Sequence, residues 1–215
     1  DTARPLRIGH LPVDHRFHGR QSAAGLVALH GRTETAMAFA VETERLLLRE
    51  FTLADAPYML RQLNEPSFIE NIADRGVRSL QQAQAYLQNG ALASYQSTGF
   101  GFWAVLEKSS GQIIGMSGLV KRDILPEADL GYAFLPEYFG KGLAFEATRA
   151  CVTAARRDFA LPRLLAIVNP GNAPSRRLLE KLGFAFTGMR PVYAGEPELC
   201  LYRVDFEEPS RCCIT

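Results

Sequence analysis

The stretch Ala128-Asp-Leu-Gly-Tyr-Ala-Phe-Leu-Pro-Glu-Tyr-Phe-Gly-Lys-Gly-Leu-Ala-Phe-Glu-Ala147 decides how this chain is read. Ala128 to Leu135 is rich in apolar and aromatic residues and predicts a strand, which Pro136 ends. Glycines at 140 and 142 then space a turn. From Leu143 the apolar positions Ala147, Cys151 and Ala154 or Ala155 keep the spacing of a helix running to about Phe159. A strand that passes through such a turn into a helix gathers unbonded N–H groups and the positive helix end at one point, which suits a pyrophosphate. Gly140 and Gly142 let the main chain approach a ligand, and Lys141 adds a charge. The alternative is a glycine-rich turn that holds nothing.

Other phosphate loops fit badly. The G-x-x-x-x-G-K-[ST] pattern is absent because Leu143 follows Gly142, and G-x-G-x-x-G is incomplete. No acid stands at the distance at which a dinucleotide fold binds ribose.

Working outward, Arg45 to Phe51 reads as a strand, and Thr52-Leu-Ala-Asp55 as a capping-box start to a helix ending near Asn64. Ser79 opens a second helix with apolar Leu80, Ala83, Tyr86 and Leu87. Phe100 to Glu107 and Gln112 to Val120 form a hairpin around Ser109-Ser110-Gly111. Leu164 to Val168 is continuously apolar, as a buried central strand should be. Pro174 starts a short helix that Gly183 stops, and Phe184 to Met189 and Leu199 to Phe206 close the chain as strands. The order β-α-α-β-β-β-α-β-α-β-β predicts one α/β domain with a mixed sheet.

Composition sets the outer bounds. The chain has 215 residues, 47% hydrophobic and 22% charged, with formal net charge +1, which fits one domain with an appendage. No basic surplus is present for nucleic acid or an anionic membrane, so neither partner is expected. A bound acidic cofactor must be held by local geometry. Cys151, Cys200, Cys212 and Cys213 have neither zinc-site spacing nor disulfide-scaffold density. Cys151 and Cys200 are expected as small buried hydrophobes, no metal is expected, and a cytoplasmic setting follows. No membrane-spanning apolar run or leader is visible.

Residues 1–40 hold all the histidines, His10, His15, His18 and His30, without a sustained period. They read either as a metal-binding arm or as an extension of uncertain order. Residues 207–215 read as a tail: Cys212-Cys213-Ile214-Thr215 fits a prenylation box formally, but Glu207-Glu208-Pro209 stand where basic residues would be.

The combination resembles the GNAT superfamily of N-acetyltransferases, and within it the RimJ/RimL-like branch that includes ribosomal-protein N-terminal acetyltransferases. The residues that carry the resemblance are Glu44-Arg-Leu-Leu-Leu-Arg49, Asp129-Leu-Gly-Tyr132, Pro136 to Ala144, Asn172-Ala-Pro-Ser175 and Leu182-Gly-Phe184, spread over residues 42 to 206. It implies a GNAT domain over 41–206, with a mixed, mostly antiparallel twisted sheet of about seven strands and helices on both faces. It also implies acetyl-CoA as cosubstrate and transfer of its acetyl group to a primary amine. The family's Q/R-x-x-G-x-G/A loop falls on Phe139, Gly140, Lys141, Gly142, Leu143 and Ala144, with Phe139 in place of the usual Gln or Arg.

By the same resemblance, backbone groups of Phe134 and Leu135 pair with the pantetheine arm, and Asn172 and Ser175 face it from the next strand. Many members carry a tyrosine seven residues after this Asn to protonate the departing thiolate; here that residue is Leu179. Either Ser175 takes the role or no dedicated acid exists, since a thiol near pKa 8.5 leaves tolerably well near neutrality. Asp129, with Glu127 on its face by strand alternation, is either the base for the amine or a strand-end carboxylate. The base is asked for little if the acceptor is an α-amine. Deprotonation at pH 7 then costs about 1.4 kcal/mol, against about 4.6 kcal/mol for a lysine. Asn71, Asp74 and Arg75, in the polar stretch Glu70 to Arg78, are the candidate acceptor-binding residues. Two alternatives remain open: a polyamine, amino acid or antibiotic as acceptor, or a catalytically idle coenzyme A-binding module. A monomer or homodimer is expected.

Overall fold

The computed structural model describes residues 39–191 and 197–206. The histidines of the arm, the first 38 residues and Cys212 to Thr215 lie outside the described residues. Eight strands form one sheet: β1 (Ala40–Glu42), β2 (Leu46–Glu50), β3 (Phe102–Glu107), β4 (Ile113–Val120), β5 (Asp129–Phe134), β6 (Arg163–Val168), β7 (Ala185–Arg190) and β8 (Leu199–Asp205). Their order is β1-β2-β3-β4-β5-β6-β8-β7, antiparallel except between β5 and β6.

Among the described residues six α-helices cover the sheet: α1 (Ala56–Asn64), α2 (Pro66–Asn71), α3 (Leu80–Leu87), α4 (Ala93–Thr98), α5 (Leu143–Arg157) and α6 (Ala173–Lys181). Strand alternation divides the core between the two faces. Val105, Leu130 and Phe134 pack with Leu143, Ala147 and Cys151 of α5 and Leu179 of α6. Their strand neighbours Ala104 and Ala133 pack instead with Met59, Leu63, Phe68, Ala83 and Leu87 of α1, α2 and α3. α5 and α6 therefore lie on the opposite face from α1, α2 and α3. Cys151 and Cys200 are buried, and burial pushes the Cys151 thiol up to about 12.

Several local signals set helix starts. Thr52 N–H donates to Asp55 Oδ2 at 2.8 Å, and Arg49 grips the same carboxylate at 2.8 and 2.9 Å. Ser79 caps α3 by accepting from the Gln82 N–H at 3.2 Å. Pro66 and Pro174 occupy the first turns of α2 and α6.

The fold has more elements than expected. Among the described residues the sheet has eight strands, close to the expected seven or so, with β1 pairing to β2 through Ala40↔Arg49. The Phe39 ring, just before β1, is stacked 4.0 Å from that of Trp103. The segment after α3 does not unwind. It continues through a π-helical turn at Gln88–Leu92 into α4, which Gly99 ends at φ +79°. Among the described residues no helix is long and apolar enough to cross a membrane.

Candidate active site

The parallel strands β5 and β6 share a single registered pair, Asp129↔Leu165. Beyond it they diverge, and residues 130–134 face residues 166–169 across a cavity of about 1400 Å³. On its other side β5 is fully paired to β4 from Asp129 to Phe134. The Leu135 N–H continues that ladder by donating to Ile114 O at 3.0 Å. Antiparallel alternation then turns the backbone groups of Leu130, Tyr132 and Phe134 toward the opening. Phe134 lines the cavity. Leu135 does not: its N–H is committed to β4, its carbonyl accepts from Tyr138 N–H at 3.0 Å, and the residue is 3% exposed. Tyr132, of the same parity as Phe134, is the neighbour whose backbone turns toward the opening.

The glycine-spaced turn opens onto the same cavity through Phe139, Gly140, Gly142, Leu143 and Ala144. Phe139 is exposed, and its N–H donates to Pro136 O. Among the described residues nothing accepts from the N–H groups of Gly140 to Ala144, while Glu146 N–H already closes the first helical turn onto Gly142 O at 3.1 Å. Four of these residues, Gly140, Gly142, Leu143 and Ala144, line the cavity at the positive helix end, an arrangement that fits an anion. Gly140 and Gly142 have φ of +72° and +77°, where a side chain is strained. Among protein atoms an added Cβ at 142 would meet only Arg45 Nη2, at 3.5 Å. Lys141 does not line the cavity; its ammonium lies 5.1 Å from the centroid of the Tyr138 ring.

Asp129 stands where the two strands part. It belongs to the parity of Gly131 and Ala133, so it faces the side of the sheet covered by α1, α2 and α3. The carboxylate is 1% exposed and accepts from Arg122 Nε at 2.9 and 3.1 Å. Burial raises its pKa, against the pull of Arg122 and Lys121. Glu127 does not line the cavity. Gly131 leaves room for the Phe102 ring, which would lie 2.7 Å from any Cβ placed there.

The opposite parity carries Tyr132. Its hydroxyl crosses the opening to Ser175 Oγ at 2.6 Å, and burial pushes its pKa up to about 12. Ser175 N–H donates to Asn172 Oδ1 at 3.1 Å, so Asn172 caps α6 as well as lining the cavity. Leu179, in the place of the common tyrosine, is wholly buried core. Tyr132 was missed in the sequence because its partner lies 43 residues away; its period-two placement between Leu130 and Phe134 was the available signal.

The cavity wall on the side of α1, α2 and α3 includes Asn71, Asp74 and Arg75, together with Phe68, Ile72 and Tyr86. Asp74 is paired with Arg78 at 2.6 Å and accepts from Gly76 N–H at 2.9 Å. Asn71 Nδ2 donates to Ser67 O at 2.9 Å. Arg75 has a buried Nε with no partner among the described residues, so it, and not Arg78, is the guanidinium that remains to be matched.

A splayed parallel pair, a donor-lined helix start beside it and a carboxylate where the strands part define an acyl-CoA-type transferase site. The chain matches the acetyltransferase (GNAT) domain family over residues 45–185, and it belongs to that family of N-acetyltransferases, whose general donor is acetyl-CoA. It is similar to the uncharacterized N-acetyltransferase YoaA of Bacillus subtilis, 29% identical over 156 residues, which covers 71% of this chain and 86% of YoaA. It is also 30% identical over 107 residues to the ribosomal protein uS5-alanine N-acetyltransferase of Escherichia coli, covering 48% of this chain and 55% of that one. An acetyltransferase structure from Agrobacterium tumefaciens shares the fold, with a TM-score of 0.66 and 24% identity over 87% of this chain and 100% of that one.

Proposed function

We propose that the chain transfers the acetyl group of acetyl-CoA to an α-amino group, on a peptide or a small molecule. The observation that carries this reading is the position of Asp129 at the parting of β5 and β6, on the acceptor face, opposite the Tyr132–Ser175 pair on the cofactor face. The pyrophosphate is held by the N–H groups of Gly140 to Ala144. The pantetheine arm lies along β5, against the backbone of Tyr132 and Phe134 and facing Asn172 and Ser175.

The acceptor enters from the side of Asn71, Asp74 and Arg75, which favours an acceptor with an anionic group near its amine. Asp129, nearly enclosed, removes the amine proton through a water. The amine nitrogen attacks the thioester carbonyl carbon, the C–N bond forms and the C–S bond breaks. The sulfur leaves as thiolate, with the Ser175 hydroxyl, backed by Tyr132, as hydrogen-bond donor. No covalent enzyme intermediate is required. Kinship with the uS5-alanine enzyme supports a protein N-terminus as one acceptor class.

Calorimetric titration tests the cofactor half of this reading. Acetyl-CoA should bind the wild type and raise its Tm. Gly142→Val places a branched residue at φ +77° and should cost at least about tenfold in affinity. Normal binding by that variant would remove the loop from the site.

A further inference from the structure

The pyrophosphate loop is held from behind by the turn that leads into β2. Glu146, in the first turn of α5, is 8% exposed. Its Oε1 accepts from Thr43 Oγ1 at 2.6 Å and from Arg45 N–H at 2.8 Å, and its Oε2 accepts from Arg45 Nε at 2.7 Å. The same guanidinium donates from Nη1 to the carbonyl of Lys141 at 3.0 Å, in the middle of the loop. These contacts join positions about a hundred residues apart.

We propose that Arg45, oriented by Glu146 and Thr43, is a positioning residue that sets the direction of the Lys141–Gly142 peptide and so gives the loop its affinity for the acetyl-CoA pyrophosphate. The proposal rests on the reading of Gly140 to Ala144 as the pyrophosphate site. In a planar trans peptide the C=O and the following N–H point to opposite sides. Drawing the Lys141 carbonyl toward Arg45 therefore turns the Gly142 N–H the other way, toward an anion in the cavity. Without that tie the peptide rotates easily, because Gly142 takes either sign of φ at little cost. The rotated peptide aims a carbonyl oxygen at the phosphate, and attraction becomes repulsion.

Glu146 suits the anchoring role. It sits at the positive end of α5, where a carboxylate is favoured. Burial works against its charge, but the Thr43 hydroxyl, the Arg45 N–H and the Arg45 guanidinium together hold its pKa below the usual carboxylate value. It is therefore ionised throughout the neutral range, and the tie does not titrate there.

A rival role for Arg45 is direct attraction of the phosphates, since its side chain is 46% exposed. Glu146→Gln separates the two roles by sign. If Arg45 acts as a free charge, removing the neighbouring carboxylate strengthens its attraction and acetyl-CoA binds more tightly. If it acts by holding the peptide, the variant loosens it and acetyl-CoA binds less tightly. We expect acetyl-CoA affinity to fall about tenfold in Arg45→Gln and in Glu146→Gln, and the double variant to fall little further. The kcat at saturating acetyl-CoA should stay within about twofold of wild type.

S-acetylpantetheine, a donor without pyrophosphate, distinguishes positioning from general damage: its kcat/KM should be unchanged in both variants. Tighter acetyl-CoA binding by Glu146→Gln, unchanged affinity, or an equal loss with S-acetylpantetheine would overturn the proposal. Gly142→Val separates this failure from failure of the site reading. If that variant loses affinity while Glu146→Gln does not, only the brace falls; if Gly142→Val binds normally, both fall.

Discussion

Replacing Asp129 by Asn removes the candidate base while keeping an oxygen for Arg122. In the wild type both carboxylate oxygens accept from Arg122 Nε, at 2.9 and 3.1 Å, and the residue is 1% exposed. The amide oxygen can keep one of these bonds, so the fold should survive with a loss of about 1–3 kcal/mol, the scale of a weakened charged hydrogen bond. Acetyl-CoA affinity should barely change, because Asp129 faces α1, α2 and α3 and not the candidate phosphate loop. The kcat at pH 7 should fall by about 50-fold, roughly 2.3 kcal/mol, within the usual range for losing one acid–base group. The variant then depends on amine already neutral. For an α-amine near pKa 8 that fraction rises about eightfold between pH 7 and 8.5, and kcat should recover by about that factor. The wild type should behave differently on the acid side. Burial raises the Asp129 pKa, so its kcat should fall on acidification at a pH above the ordinary carboxylate value, and the variant should lack that limb. Steady-state CoA release from pH 5 to 9 at saturating substrates is the assay. A kcat within about twofold of wild type with an unchanged pH profile would leave Asp129 as a partner of Arg122 and nothing more.

Two further outcomes bear on substrate binding and on the boundary of the domain. Arg75→Ala should raise KM for acceptors bearing a carboxylate by about tenfold while lowering kcat less; Arg78→Ala, whose guanidinium is already engaged by Asp74, should not. A chain lacking residues 1–36 should keep activity within about twofold, because the described domain begins at Phe39 and β1; a large loss would show that the arm takes part in catalysis or binding.

Much of the fold was legible because its strands and long helices repeat their apolar pattern over enough residues. Leu164 to Val168 was recognisable as central by its unbroken apolar run, and the Leu143 helix by its stripe onto Cys151. The elements that escaped reading are short or break the period. β1 has three residues at a sheet edge, and α2 buries only Phe68. At Gln88–Leu92 the π-helical turn buries no residue and shifts the helix register, which erases the 3.6-residue repeat between α3 and α4.

The same contrast holds in the site. The candidate loop, Phe139 to Ala144, is continuous in sequence and so can be read there. Contacts between distant residues cannot: nothing local links Tyr132 to Ser175, or Arg45 to Lys141. Leu135 was misplaced by one residue, which in a strand reverses the direction of the backbone groups.

The choice of acceptor is tested most directly by a pair of peptides. One has a free N-terminus and no lysine; its counterpart is N-acetylated and contains one lysine. CoA release is measured with each and in competition at pH 7. The site as described, with one enclosed carboxylate for deprotonation, predicts faster turnover of the free N-terminus. The proton to be removed there costs about 3.2 kcal/mol less than that of a lysine. Faster turnover of the lysine peptide would contradict the α-amine assignment and move extended amines to the front.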